Sequence, residues 1–226
     1  MIFDPLYLVF VSPALLLAFI AQSMVSSRYA TASRVPAPMT GAQAARRILD
    51  AAGLRNVRIE QTGGRLTDHY DPSTKVIRLS SEVFGKASAA SVGIAAHEAG
   101  HAIQDAVNYK PMVLRSLSVP MASLGSNMAF ILFFAGLFIQ ALYFLTWLGI
   151  LLFSFVVMFQ LITLPVEFNA SARARKQLGS LGIVSGEQDY QVKKVLNAAA
   201  LTYVAATLMA IMQLLYLLTR LRRRHH

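Results

Sequence analysis

The chain has 226 residues, 55% of them hydrophobic and 14% charged, with a net charge of +10 and no cysteine. That apolar balance argues against an ordinary water-soluble domain, and the lack of cysteine excludes both a disulfide framework and a thiolate metal site. No nucleic-acid-binding motif accompanies the positive charge, so no nucleic-acid partner is expected; basic loops beside membrane helices account for it better.

In chain order, Leu6 to Met24 is almost wholly apolar and long enough to cross a bilayer. It lacks a basic leader and reads as an uncleaved anchor rather than a signal peptide. Residues 26–112 are more polar. Val35-Pro36-Ala37-Pro38 is a stiff linker, and Thr40-Gly41-Ala42-Gln43 has the spacing of a capping box opening an amphipathic helix that stops at Gly53. Its expected buried stripe is Ala44, Ile48, Leu49 and Ala52. Val57 and Ile59 begin a strand. Leu66 to Tyr70 and Val76 to Leu79 read as two further strands joined by the turn Asp71-Pro72-Ser73-Thr74.

Ser88 is the expected N-cap of an alanine-rich helix reaching Ala106, and this helix carries His97-Glu98-Ala99-Gly100-His101. Residues four apart share a helix face, so both imidazoles can grip one metal ion while Glu98 reaches a water on it. The pattern draws on scarce residue types, five histidines and five glutamates in the whole chain, which argues against accident.

Beyond Pro111 the only charge between Val113 and Leu164 is Arg115. The run is too long for one span and divides into helices at about 116–138 and 141–163. A hairpin of two spans returns the chain to the face it left, so the segment after Pro165 can reach the motif. A fourth span is expected over about 195–218, followed by Arg220 and Arg222 to Arg224, with His225 and His226 as a solvated tail.

A zinc hydrolase with two histidine ligands needs a third protein ligand. Glu167 follows the third span, opens a helix-forming segment and lies on the required face; the bland reading is a carboxylate pairing with Arg173 or Arg175. His69 is the rival ligand, with hydrogen bonding to a developing oxyanion as its other role. Tyr70, Arg173 and Tyr203 are further oxyanion candidates, against aromatic packing or a solvated charge as the plain alternatives.

The segments Leu66-Thr67-Asp68-His69-Tyr70-Asp71-Pro72, His97 to His101, Leu164-Pro165-Val166-Glu167-Phe168 and Leu201-Thr202-Tyr203-Val204-Ala205-Ala206 together resemble the YugP-type membrane zinc metallopeptidases of bacteria. The resemblance spans nearly the whole chain, with its segments in the family's order. It implies a gluzincin-like core, distantly similar to HtpX-type membrane proteases, with zinc as cofactor and Glu167 as third ligand. Gluzincins often carry an aspartate four residues after the ligand glutamate, where this chain has Ser171. A hydroxyl accepts a weaker hydrogen bond from a zinc histidine, and Asn169, Asp105 or Asp68 are alternative partners.

The fold class expected is a mainly α membrane protein: four transmembrane helices plus a small α+β zincin-like metalloprotease domain. Its parts are a transmembrane helix over 1–25, the protease domain over 26–112, a transmembrane hairpin over 113–164, a helix with the third ligand over 165–194, and a final span with a basic tail over 195–226. The expected function is a zinc-dependent endopeptidase of the bacterial cell membrane acting on unfolded or membrane-proximal polypeptides. Its metal ligands are His97, His101 and Glu167, Glu98 is general base, and His69 assists catalysis. Arg28, Arg34, Lys110, Arg115, Arg173, Arg175, Lys176, Lys193 and Lys194 are expected to flank the membrane on the metal side, which favours a cytoplasmic active site; the terminal arginines argue the other way. An FtsH-type coupling to ATP would need another chain, because no phosphate-binding loop is present. The alternative from a different class is a zinc-stabilised scaffold or adaptor without turnover.

Overall fold

The computed structural model describes residues 4–223. Arg224, His225 and His226, and with them the expected tail, lie outside the described residues. The elements are α1 (Pro5–Ala32), α2 (Gly41–Ala51), β1 (Arg58–Thr62), β2 (His69–Asp71), β3 (Val76–Ser80), α3 (Ser81–Gly85), α4 (Ala89–Ala106), α5 (Lys110–Phe138), α6 (Phe144–Ser180) and α7 (Glu187–Arg223), with a 3-10 turn at Gln140–Leu142. Four of these helices, α1, α5, α6 and α7, are long and apolar enough to cross a membrane. The chain divides into two compact units, one of residues 1–21, 113–165 and 202–226, the other of residues 22–112 and 166–201.

The first unit is helical. Phe133, Phe153, Tyr216 and Leu217 are buried at its centre, while Leu16, Phe19, Leu117, Ile131, Phe144 and Leu151 stay exposed. Such a surface suits a hydrocarbon solvent rather than water. Helices α5 and α6 pack through small residues: a Cβ on Gly149 would lie 2.6 Å from the carbonyl oxygen of Ala129. Two polar pairs tie α7 to the start of the chain, with the Tyr216 hydroxyl donating to Asp4 at 2.8 Å and the Gln213 amide to the Tyr7 hydroxyl at 2.9 Å.

The second unit is built around α4. Thr40 and Gln43 form both arms of the expected capping box on α2. The helix ends where Gly53 adopts φ +76°, with Leu54 N–H bonded to Leu49 C=O and Gly53 N–H to Asp50 C=O. Because α2 has already closed, Ala52 is exposed and Ala45 joins the buried stripe in its place. The expected hairpin forms as β2 and β3 in antiparallel register, Tyr70 opposite Ile77. Its turn is held by Asp71, whose carboxylate accepts from the Ser73 and Thr74 hydroxyls at 2.6 Å each and is thereby kept well below the usual carboxylate range. Strand β1 pairs in parallel with β3, which is therefore central in the order β1-β3-β2. Ile77 and Leu79 of β3, Ile48 and Leu49 of α2 and the alanines of α4 make the core.

Several boundaries differ from the sequence expectation: α1 runs on to Ala32, β2 covers His69–Asp71 rather than Leu66 to Tyr70, α5 begins at Lys110 rather than about 116, and α7 begins at Glu187 rather than about 195. The helix after the hairpin turn does not stop near 163: α6 runs unbroken through Pro165 to Ser180. Proline removes one backbone hydrogen bond, but a helix with tertiary support absorbs that loss. The short helix α3 was hidden because Ser81-Glu82-Val83-Phe84-Gly85 has no room for a helical period.

Replacing Thr40 by alanine removes one arm of the box and is expected to cost about 1 kcal/mol. Hydrogen exchange of the first-turn amides of α2 should then accelerate roughly fivefold.

Candidate metal centre

Helix α4 begins at Ser88, whose hydroxyl accepts from Ser91 N–H at 3.2 Å. It is almost entirely buried, which explains its alanine content: neighbouring elements approach its backbone closely. The closest approach that matters is at Gly100, where an added Cβ would sit 2.6 Å from the carbonyl oxygen of Ala170 on α6. The glycine between the motif's alanine and second histidine thus lets α6 lie directly against α4. One turn of α6 earlier stands Glu167.

There the three expected ligands meet. His97, His101 and Glu167 each offer one ligand atom, all within 4.8 Å of one another. Glu167 Oε2 lies 3.2 Å from His97 Nε2 and 3.5 Å from His101 Nε2. Zinc bonds of about 2.0–2.1 Å at tetrahedral angles separate ligand atoms by about 3.3–3.4 Å, so the spacing fits that ion. The two rings stand edge to face, 4.7 Å between centroids.

The ring nitrogens not facing Glu167 are also occupied. His97 Nδ1 lies 3.1 Å from the Ser171 hydroxyl, and His101 Nδ1 lies 3.0 Å from Gln104 Oε1. The amide oxygen can only accept, so His101 carries its proton on Nδ1 and turns the Nε2 lone pair to the centre. Ser171 as acceptor fixes His97 in the same way. Gln104 is fully buried, and its amide nitrogen donates to Val166 C=O at 2.8 Å and to Asn169 Oδ1 at 3.0 Å. Asn169 Oδ1 in turn accepts from Arg173 Nε at 2.7 Å. Burial favours a neutral His101, but the Glu167 and Glu98 carboxylates and the Gln104 amide outweigh it and raise its pKa. The field at this centre calls for a cation.

Glu98 is 7% exposed. Among the described residues its carboxylate makes no hydrogen bond or ion pair; a buried acid without a partner beside a metal-binding group is free to hold a water.

The other sequence candidates are placed as follows. His69 is exposed on β2, with Nδ1 2.8 Å from the Thr67 carbonyl. The Tyr70 hydroxyl is committed to Asp105 at 2.6 Å, and burial together with that acid raises its pKa. Asp105 also holds Lys75, and Asp68 accepts from Ser80 N–H at 2.8 Å, so neither serves a histidine. Arg173 props Asn169 and lies over the Tyr109 ring. Tyr203 belongs to the other unit. Sequence reading anticipated Ser171 but missed Gln104, whose one signal was its position three residues after His101 on the same helix face.

Ser171→Ala and Gln104→Leu are each expected to weaken zinc binding roughly 10–100-fold in chelator competition, with Gln104→Glu losing less because it keeps the acceptor for His101. Gly100→Ala should cost about 1–3 kcal/mol, read as a lower unfolding midpoint, because the opposing group is backbone.

A family model described as "Putative neutral zinc metallopeptidase" matches residues 7–222. The chain is also 48% identical over 204 residues to the protein named "Putative membrane protease YugP" of Bacillus subtilis (strain 168), covering 89% of this chain and 90% of that one. No solved structure matches.

Proposed function

Since the chain belongs to this family of zinc metallopeptidases, we propose that it is a multi-pass membrane endopeptidase with a gluzincin-like centre, cleaving unfolded or membrane-proximal polypeptides. The observation that carries the reading is the convergence of His97 Nε2, His101 Nε2 and Glu167 Oε2 beside the buried, unpartnered carboxylate of Glu98. A purely structural zinc site is usually closed by four protein ligands and has no use for an adjacent acid. The group here offers three.

In the proposed mechanism His97, His101 and Glu167 hold the ion. An ion held there would supply Lewis acidity, bringing the pKa of a water towards neutrality and polarising the scissile carbonyl. Glu98 accepts the proton of the attacking water and delivers it to the departing amine. Ser171 and Gln104 keep both imidazoles in the tautomer whose Nε2 points inward. His69 is assigned to the developing oxyanion. With Nδ1 donating to Thr67 C=O, its Nε2 donates only when the ring is protonated. The cationic side chains that flank the apolar spans beside the metal-binding segments favour a cytoplasmic site under the positive-inside rule.

Glu98→Gln is expected to keep one zinc per chain and to lose roughly 10²–10⁴-fold in cleavage of an unfolded casein substrate in detergent. Wild-type and variant protein cleaving at the same rate, or neither cleaving while both hold zinc, would favour the scaffold reading. Glu167→Ala should lose most of its zinc while still inserting into membranes, whereas His69→Ala should keep zinc and lose rate. The reverse pattern would pass the third-ligand role to His69.

A further inference from the structure

Helix α1 has no charged side chain between Asp4 and Arg28, and α7 has none between Lys194 and Arg220. Each stretch exceeds the roughly 20 residues that a hydrocarbon core requires. Arg28 on one helix and Lys193 and Lys194 on the other therefore stand where an apolar span gives way to the headgroup layer. They share a cavity of about 260 Å³, lined also by Met24, Tyr190 and Asn197.

The lining contains three cations and no carboxylate. The acids nearby in sequence are engaged elsewhere: Asp189 pairs with Arg175 at 3.3 Å, and Glu187 accepts from Gln191 at 2.6 Å. Among the described residues none of the three cations forms an ion pair; Lys194 Nζ instead lies 4.8 Å from the centre of the Tyr190 ring. Three like charges around one concavity repel each other, and an anion seated among them turns that repulsion into attraction. The Tyr190 hydroxyl and the Asn197 amide add neutral donors of the kind phosphate oxygens accept, while Met24 supplies an apolar wall on the side of the span.

We propose that this cavity binds the headgroup phosphate of an anionic phospholipid, held by Arg28, Lys193 and Lys194. Its position at the ends of two apolar stretches favours a lipid over a soluble anion, and its net positive charge disfavours a choline or ethanolamine headgroup, whose cation would meet the same side chains.

Native mass spectrometry of the full chain in detergent, titrated with phosphatidylglycerol or phosphatidylcholine, tests the proposal. Wild type should retain phosphatidylglycerol in strong preference, and K193Q/K194Q should weaken that binding at least about tenfold, to the level of phosphatidylcholine. R222Q/R223Q removes the same charge from the far end of α7 and should leave binding unchanged. R28Q, on the other helix, is scored in the same way, so a folding defect in one variant leaves the other decisive. Undiminished phosphatidylglycerol binding in K193Q/K194Q and R28Q would overturn the proposal, as would an equal loss in R222Q/R223Q, which marks diffuse attraction. Millimolar inorganic phosphate added to wild type should leave the lipid bound. Its displacement by phosphate would make the ligand a free ion and overturn the lipid assignment.

Discussion

The centre depends on one close approach: the backbone of α6 rests on α4 at Gly100, with no side chain between them. Helices separated by ordinary side chains lie 8–10 Å apart, a spacing set by whatever the contact residue carries. A glycine at the contact brings the carbonyl of Ala170 against the motif helix, and Glu167, nearly one turn earlier, then reaches both imidazoles with a single oxygen. The motif's fourth residue is thus a packing requirement, while the chemistry proposed for the site falls to the first, second and fifth.

A second layer holds what that approach brings together. Burying two imidazoles and two carboxylates is unfavourable unless each polar atom has a partner and the net charge is balanced. Ser171 and Gln104 occupy the outward nitrogens, and Gln104 passes its own requirement on to Val166, Asn169 and Arg173. The bonds from His97 to Ser171 and from Gln104 to Val166 and Asn169 cross between α4 and α6, so the groups that orient the rings also lock the two helices together. The carboxylates of Glu167 and Glu98 concentrate negative charge around the two imidazoles, a setting that suits a divalent cation. The orienting groups are neutral, a hydroxyl and an amide, and they leave the ligand imidazoles less basic than a carboxylate partner would.

Much of this was legible before any coordinates because the signals were local or strongly periodic. The Thr40 box, the Ser88 cap, the turn at Asp71 and the four apolar stretches each depend on residues within a few positions of one another. Glu167 was legible because a hairpin of two spans leaves little choice about where the chain returns, and the coordinates bring it to the histidines. The parallel pairing of β1 with β3 was not legible, since a strand's partner and direction are decided by contacts distant in sequence. Nor was the continuation of α6 through Pro165: the local penalty is plain in the sequence, the tertiary support that outweighs it is not. Gln104 illustrates the same limit. A lone glutamine on a helix reads as a solvated side chain, and only the packing of α6 over it shows that it is buried with both ends engaged.

The most direct measurement is zinc-edge anomalous scattering from crystals of the zinc-loaded protein. The account predicts one strong peak per chain, about 2.0–2.1 Å from Nε2 of His97, Nε2 of His101 and an oxygen of Glu167, with an open position facing Glu98. A peak ligated elsewhere, or a zinc held by the two histidines with Glu167 turned away, would contradict it.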